Sequence, residues 1–109
     1  MPPQIVFRKV RADAKMPGTI DEIYYDMFAC ERTRLPANGR TFVRSGVVIE
    51  TAPPRATIWG YPQTGAPTRI DPDSRAEISM CILNEFRTDF WIEPGEWIGQ
   101  IAVVINKND

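Results

Sequence analysis

The clearest alternation of apolar and polar positions lies in residues 68–84, TRIDPDSRAEISMCILN. Ile78, Met80 and Ile82 fall on one side of a period of two, and Glu77, Ser79, Cys81 and Leu83 on the other. That period predicts a half-buried β-strand. The Asp71-Pro72-Asp73-Ser74 run before it is turn chemistry: Pro fixes φ, and Asp or Ser oxygens accept backbone N–H groups two residues on. Shorter apolar runs predict further strands at 5–10 (IVFRKV), 25–29, 40–50 (RTFVRSGVVIE), 56–61 (ATIWGY), 90–92 and 97–105 (WIGQIAVVI). Turn signals separate them: Pro17-Gly18, the Pro36-Ala37-Asn38-Gly39 run, Pro53-Pro54, the loop 62–67 and Pro94-Gly95. Gly46, inside the 40–50 run, predicts a bulge or a close backbone approach. No stretch of ten residues carries a capped 3.6-residue period. The pattern is that of an all-β sandwich or barrel, read as one domain over 1–109.

Composition narrows the chemistry. Apolar residues make up 43% of the chain, enough for a core. A domain this short buries only about two thirds of its unfolded surface, so oligomerisation would help it. The net charge is −1, with no block of Lys or Arg. A nucleic-acid groove and an anionic membrane surface are therefore not expected as partners. Histidine is absent, which excludes Ser-His-Asp and Cys-His nucleophile systems and the His-bearing zinc deaminase site. Cys30 and Cys81 lie far apart in apolar runs and read as reduced, buried thiols. No apolar run approaches the roughly 20 residues of a membrane span, and no signal-peptide core is evident. The expectation is a cytoplasmic protein, or a virion component if the source is viral.

Four segments, in order, resemble motifs of the dUTPase and dCTP deaminase superfamily. Ile23-Tyr24-Tyr25-Asp26-Met27 is similar to the first motif, A-G-x-D-L. The Leu35–Gly39 turn followed by Val43-Arg44-Ser45-Gly46-Val47-Val48-Ile49 resembles P-x-G … V-x-T-G-x-x-I. Ile70-Asp71-Pro72-Asp73-Ser74-Arg75-Ala76-Glu77-Ile78 resembles the third motif, I-D-x-D-Y-x-G-E-I. Glu93-Pro94-Gly95-Glu96-Trp97-Ile98-Gly99-Gln100-Ile101 resembles the fourth, P-G-x-R-I-A-Q-L. The resemblance spans nearly the whole chain. It implies a distorted jelly-roll, a β-clip dUTPase-like barrel, assembled as a homotrimer with its sites between subunits. It further implies that the third-motif turn cradles a pyrimidine, that its first Asp holds the attacking water, and that magnesium rides on the phosphates.

The departures bear on catalysis. Asp71, Asp26 and Gln100 match their motif positions. Ser74 replaces the Tyr that packs on deoxyribose, and Trp97 replaces the fourth-motif Arg, which removes a bidentate cation. The second motif, P-R-S-G, falls in a segment shorter by more than ten residues. The Gly-rich fifth motif has no counterpart within the 109 residues. Cys81 stands where the deaminase branch carries its catalytic Glu. The reading favoured from sequence is a non-enzymatic trimer with a structural or binding role, a phage capsid decoration or cement protein being one such use. The alternative is a dUTP diphosphatase or dCTP deaminase-type hydrolase, or a nucleotide-binding regulator without turnover. Asp71 is the catalytic candidate, for an enzyme only. Asp26, Arg69, Asp73, Arg75 and Gln100 are ligand-binding candidates, with Asp26 read as an acceptor for backbone N–H groups. Trp59, Trp91 and Trp97 are assigned to the core or to subunit interfaces. No metal site and no cofactor are expected, except magnesium where a nucleoside triphosphate binds.

Overall fold

A computed structural model of the chain describes residues 5–106. The Pro-bearing lead at 1–4 and, of the polar end at 106–109, residues 107–109 lie outside the described residues. Those residues form eleven β-strands and no helix. The apolar alternation accounts for most of them. Ile78, Met80 and Ile82 are buried, whereas Glu77, Ser79, Cys81 and Leu83 are half-buried, so the two faces divide as the period predicts.

The largest sheet has five strands. Its middle strand is β11 (Trp97–Ile105), flanked by β3 (Tyr24–Phe28) and β7 (Ala56–Pro62). β2 (Gly18–Thr19) and β8 (Thr68–Ile70) form its edges. All four pairings are antiparallel. Ile101 and Ile58, both fully buried, lie on the core side of this sheet with Tyr25 and Val103. The organising strand is thus β11; the 68–84 stretch supplies instead the short edge β8, a turn, and β9 (Ser79–Leu83).

Three two-stranded sheets complete the barrel: β1 (Val6–Lys9) with β6 (Val47–Thr51), β4 (Thr33–Leu35) with β10 (Phe90–Ile92), and β5 (Arg40–Arg44) with β9. The 40–50 run is therefore two strands in two sheets. The chain changes sheets at Ser45-Gly46. The fully buried Ser45 hydroxyl donates to the Ile78 carbonyl at 2.7 Å and accepts the Val47 N–H at 3.2 Å. Gly46 has φ +72°, and a side chain there would press within 2.7 Å of the Ala14 Cβ, the close approach its position predicts. Cys30 is buried and Cys81 half-buried, and both are free thiols. Burial pushes the Cys30 thiol above its ordinary pKa, away from nucleophilic use.

Candidate functional site

The first and fourth resemblance segments meet on the outer face of the five-stranded sheet. Asp26 on β3 is opposite Gln100 on β11, which is opposite Tyr61 on β7. Asp26 Oδ1 accepts the Gln100 amide N–H at 3.1 Å and the Trp97 indole N–H at 2.9 Å. Trp97 and Gln100 are three residues apart, an odd spacing that puts side chains on opposite faces of a regular strand. A β-bulge brings them to one face: Trp97 pairs with Phe28 and Gly99 with the next residue, Met27, so Ile98 is the extra residue. Gly99 makes this possible. Its φ is +149°, and an added Cβ would overlap the Tyr61 carbonyl oxygen.

Asp26 is thus held by side chains, not by the backbone N–H groups expected from sequence. The loop 62–67 joins the same cluster. The Gln63 amide donates to the Trp97 carbonyl at 2.8 Å, and the Thr64 hydroxyl to the Leu83 carbonyl at 2.6 Å. The Pro62 and Gly65 of this loop resemble the Pro and Gly of P-R-S-G. A small depression beside Asp26 is lined by Ile20, Asp21, Tyr24 and Gln100. Asp21 Oδ1 accepts the Ile23 and Tyr24 N–H groups, and these bonds hold its carboxyl below the usual pKa.

Asp71 lies elsewhere. It follows β8, whose Ile70 pairs with Ile58 and Arg69 with Trp59. Counting strand rise and strand spacing puts it about 20 Å from Asp26 across the same sheet. Its Oδ1 accepts the Asp73 N–H at 2.9 Å, and its carbonyl accepts the Ser74 hydroxyl at 3.0 Å. Arg75 takes φ +57° to close the turn. Asp71 and Arg69 line a depression of about 440 Å³ with Thr57 and Pro72. Asp73 and Arg75 line an adjoining one with Glu50 and Arg55. The candidates thus divide into two groups: Asp26, Gln100 and Trp97 at one end of the sheet, and Asp71, Arg69, Asp73 and Arg75 at the other.

The tryptophans are not core residues. Trp59 is half-buried on the outer face, and Trp91 and Trp97 are each 45% exposed. Trp91 stands apart from both groups, with the Arg32 guanidinium 3.9 Å over its ring.

No family model matches the chain. Among curated proteins it is similar to the deoxyuridine 5'-triphosphate nucleotidohydrolase of Debaryomyces hansenii, 27% identical over 92% of this chain and 68% of that protein. It is also similar to that of Solanum lycopersicum, 24% identical over 88% of this chain and 63% of that protein. The chain thus spans about two thirds of the length of these relatives. Among solved structures, a mutant dUTPase from phage phi11 of S. aureus, described with a structural Mg(II) ion, superposes with a TM-score of 0.83. Its identity is 14%, covering 98% of this chain and 94% of that one. The dUTPase of Staphylococcus bacteriophage 80alpha gives 0.82 at 15% identity, over 97% and 92%.

The chain has the dUTPase fold. In that fold Asp26 and Gln100, on the segments that resemble the first and fourth motifs, are hydrogen-bonded to each other, and Asp71, on the segment that resembles the third, lies on a tied turn at a distance.

Proposed function

We propose that this dUTPase-like protein hydrolyses deoxyuridine triphosphate, or a close pyrimidine analogue, at sites formed between neighbouring copies of a homotrimer. The observation that carries this is the separation of Asp26 and Asp71 on one sheet. Neither group alone is a site, and about 20 Å of sheet keeps them from meeting within a chain. Head-to-tail packing around a three-fold axis brings the Asp71 turn of one copy against the Asp26 face of the next. The charges favour that contact. Arg69 and Arg75 offset Asp71 and Asp73 at their end, whereas Asp21, Glu22 and Asp26 leave the other end acidic, offset in part by Lys15 over the Phe28 ring.

In this reading Asp71, its Oδ1 fixed by the Asp73 N–H, turns its other oxygen to a water and orients it toward phosphorus. Water adds to the phosphoryl group as the bond to pyrophosphate breaks, leaving the monophosphate. Gln100 offers a polar contact, and Arg69 and Arg75 offer positive charge across the seam. Among the described residues no three carboxylate or thiol groups converge on one point. A magnesium ion therefore fits here as a companion of substrate phosphates with Asp26 beside it, where it would neutralise phosphate charge.

A second reading rests on a specific observation. The Trp97 indole occupies the position of a phosphate-binding cation and is spent on Asp26, and the Ser74 hydroxyl is spent on the Asp71 carbonyl. On that basis the trimer would bind or assemble without turnover, as a capsid decoration protein does. Magnesium-dependent release of pyrophosphate from dUTP by the purified protein separates the two. Turnover abolished by Asp71→Asn is the expected result. A folded protein without turnover, or turnover that survives Asp71→Asn, sinks the hydrolase reading.

A further inference from the structure

A groove that borders the 62–67 loop, with Gln63 and Thr64 in its lining and neither Asp26 nor Asp71, has the make-up of a protein-docking site. It encloses about 310 Å³ between β9 and β10, with Leu35, Ile82, Phe86, Phe90, Trp91 and Ile92 as its apolar walls. Phe86, Phe90 and Trp91 are 62%, 45% and 45% exposed, three large rings within six residues. Exposed apolar surface of this density is unusual in a soluble fold unless something covers it.

The rings are not exposed because their loop is loose. Asn84 is 2% exposed, and its amide N–H groups reach the Leu35, Pro36 and Thr88 carbonyls at 3.0, 3.1 and 2.9 Å. Its Oδ1 accepts the Phe86 N–H at 3.0 Å, and the Phe86 carbonyl accepts the Asn38 N–H. Asp89 accepts the Ala37 N–H and the Arg34 guanidinium. Phe86 and Phe90 meet edge to face at 5.1 Å. The loop from Asn84 to Asp89 is fixed at several points, so its rings are presented at little ordering cost, as binding anchors are.

The charge of the rim names the occupant. Glu85 and Glu96 both line the groove. Among the described residues neither has an ion-pair partner, although Glu96 Oε1 accepts the Glu93 N–H at 3.0 Å and Arg32 and Arg34 beside Trp91 are both paired with other acids. Arg32 on Trp91 shows that the ring face accepts a guanidinium. We infer that the groove docks an extended segment of another protein that carries a bulky apolar side chain flanked by Lys or Arg. The apolar side chain fills the space between the rings, and the basic groups neutralise Glu85 and Glu96. The volume holds one or two side chains, too little for the face of a helix.

The test uses the full chain and two blocked tetrapeptides, each with phenylalanine and leucine between two flanking residues, lysine in one and glutamate in the other. The lysine peptide is expected to shift the amide resonances of Asn84 to Ile92 saturably, and the glutamate peptide to leave them unmoved. Glu85→Gln with Glu96→Gln should weaken the lysine peptide about three- to tenfold, the range for two exposed ion pairs. Trp91→Ser should abolish binding at unchanged oligomeric mass. The proposal is overturned by equal binding of the two peptides, by no saturable shift at the groove, or by shifts centred on Asp26 or Asp71. It is overturned equally if Trp91→Ser changes the mass in solution, because the groove would then be a seam between copies.

Discussion

Glu77 carries more of the fold than its place in a resemblance motif implies. Its side chain is 17% exposed and lies against Arg44, with Nη2 to Oε1 at 2.7 Å and Nε to Oε1 at 3.2 Å. Its Oε2 accepts the Gly46 N–H at 2.8 Å, at the point where the chain passes from β5 to β6. Burial opposes ionisation, but the Arg44 guanidinium, the Gly46 N–H and Arg11 together outweigh it and hold the carboxyl below its ordinary 4.5. The sign follows from linkage. A carboxyl with a lowered folded pKa contributes stability that is fully present above its unfolded value and is lost as pH falls through the folded one. Unfolding by urea should therefore become easier below pH 4.5. Glu77→Gln should be less stable near neutrality but lose less as the pH falls below 4.5. Parallel stability curves for the two proteins would mean that Glu77 is not an acid-sensitive tie.

At the scale of the element, the bulge in β11 decides whether a site exists. Without the extra residue, Trp97 and Gln100 would face opposite ways and could not both bond Asp26. Gly99→Ala places a Cβ against the Tyr61 carbonyl and the Pro62 Cα in a backbone conformation that L side chains rarely adopt. The expected loss is roughly 3–5 kcal/mol, from backbone strain together with overpacking. Gly95, with φ +87° and open space around it, isolates the conformational part: Gly95→Ala should cost only about 1–2 kcal/mol. Urea midpoints measure both, and equal losses would remove the special role of Gly99.

The same elements mark what the sequence discloses. Period two located β9, whose alternate residues are buried and half-buried, and apolar runs located β7 and β11. It could not find β2, β4 or β8, which are two or three residues long and shorter than any period. It also ran straight through Ser45-Gly46, because the break there is made by a buried hydroxyl bond to Ile78, a residue distant in sequence. Asp26 and Gln100 were legible as a pair only through the resemblance. The bulge that aims Trp97 at the same carboxylate leaves no mark in the pattern beyond a single glycine.

For the whole molecule, the two groups at opposite ends of the sheet make assembly the decisive quantity. A head-to-tail seam repeats one heterologous contact, and three such contacts close a ring. Arg69 and Arg75 offset Asp71 and Asp73 at one end, and their guanidinium groups give that contact local opposite-charge pairs with Asp21, Glu22 and Asp26 at the other. The attraction is partly exposed, so it steers and selects more than it binds, and salt weakens it. Reversing Arg69 and Arg75 to Glu would set like charges against each other at every seam. The double variant should sediment as a monomer at low salt and regain some trimer as ionic strength screens the repulsion, while the parent stays trimeric throughout. Its fold should be intact, because neither arginine lies in the core. A trimer that ignores the reversal would place the seam on another face, and Asp26 and Asp71 would then have no route to a common substrate.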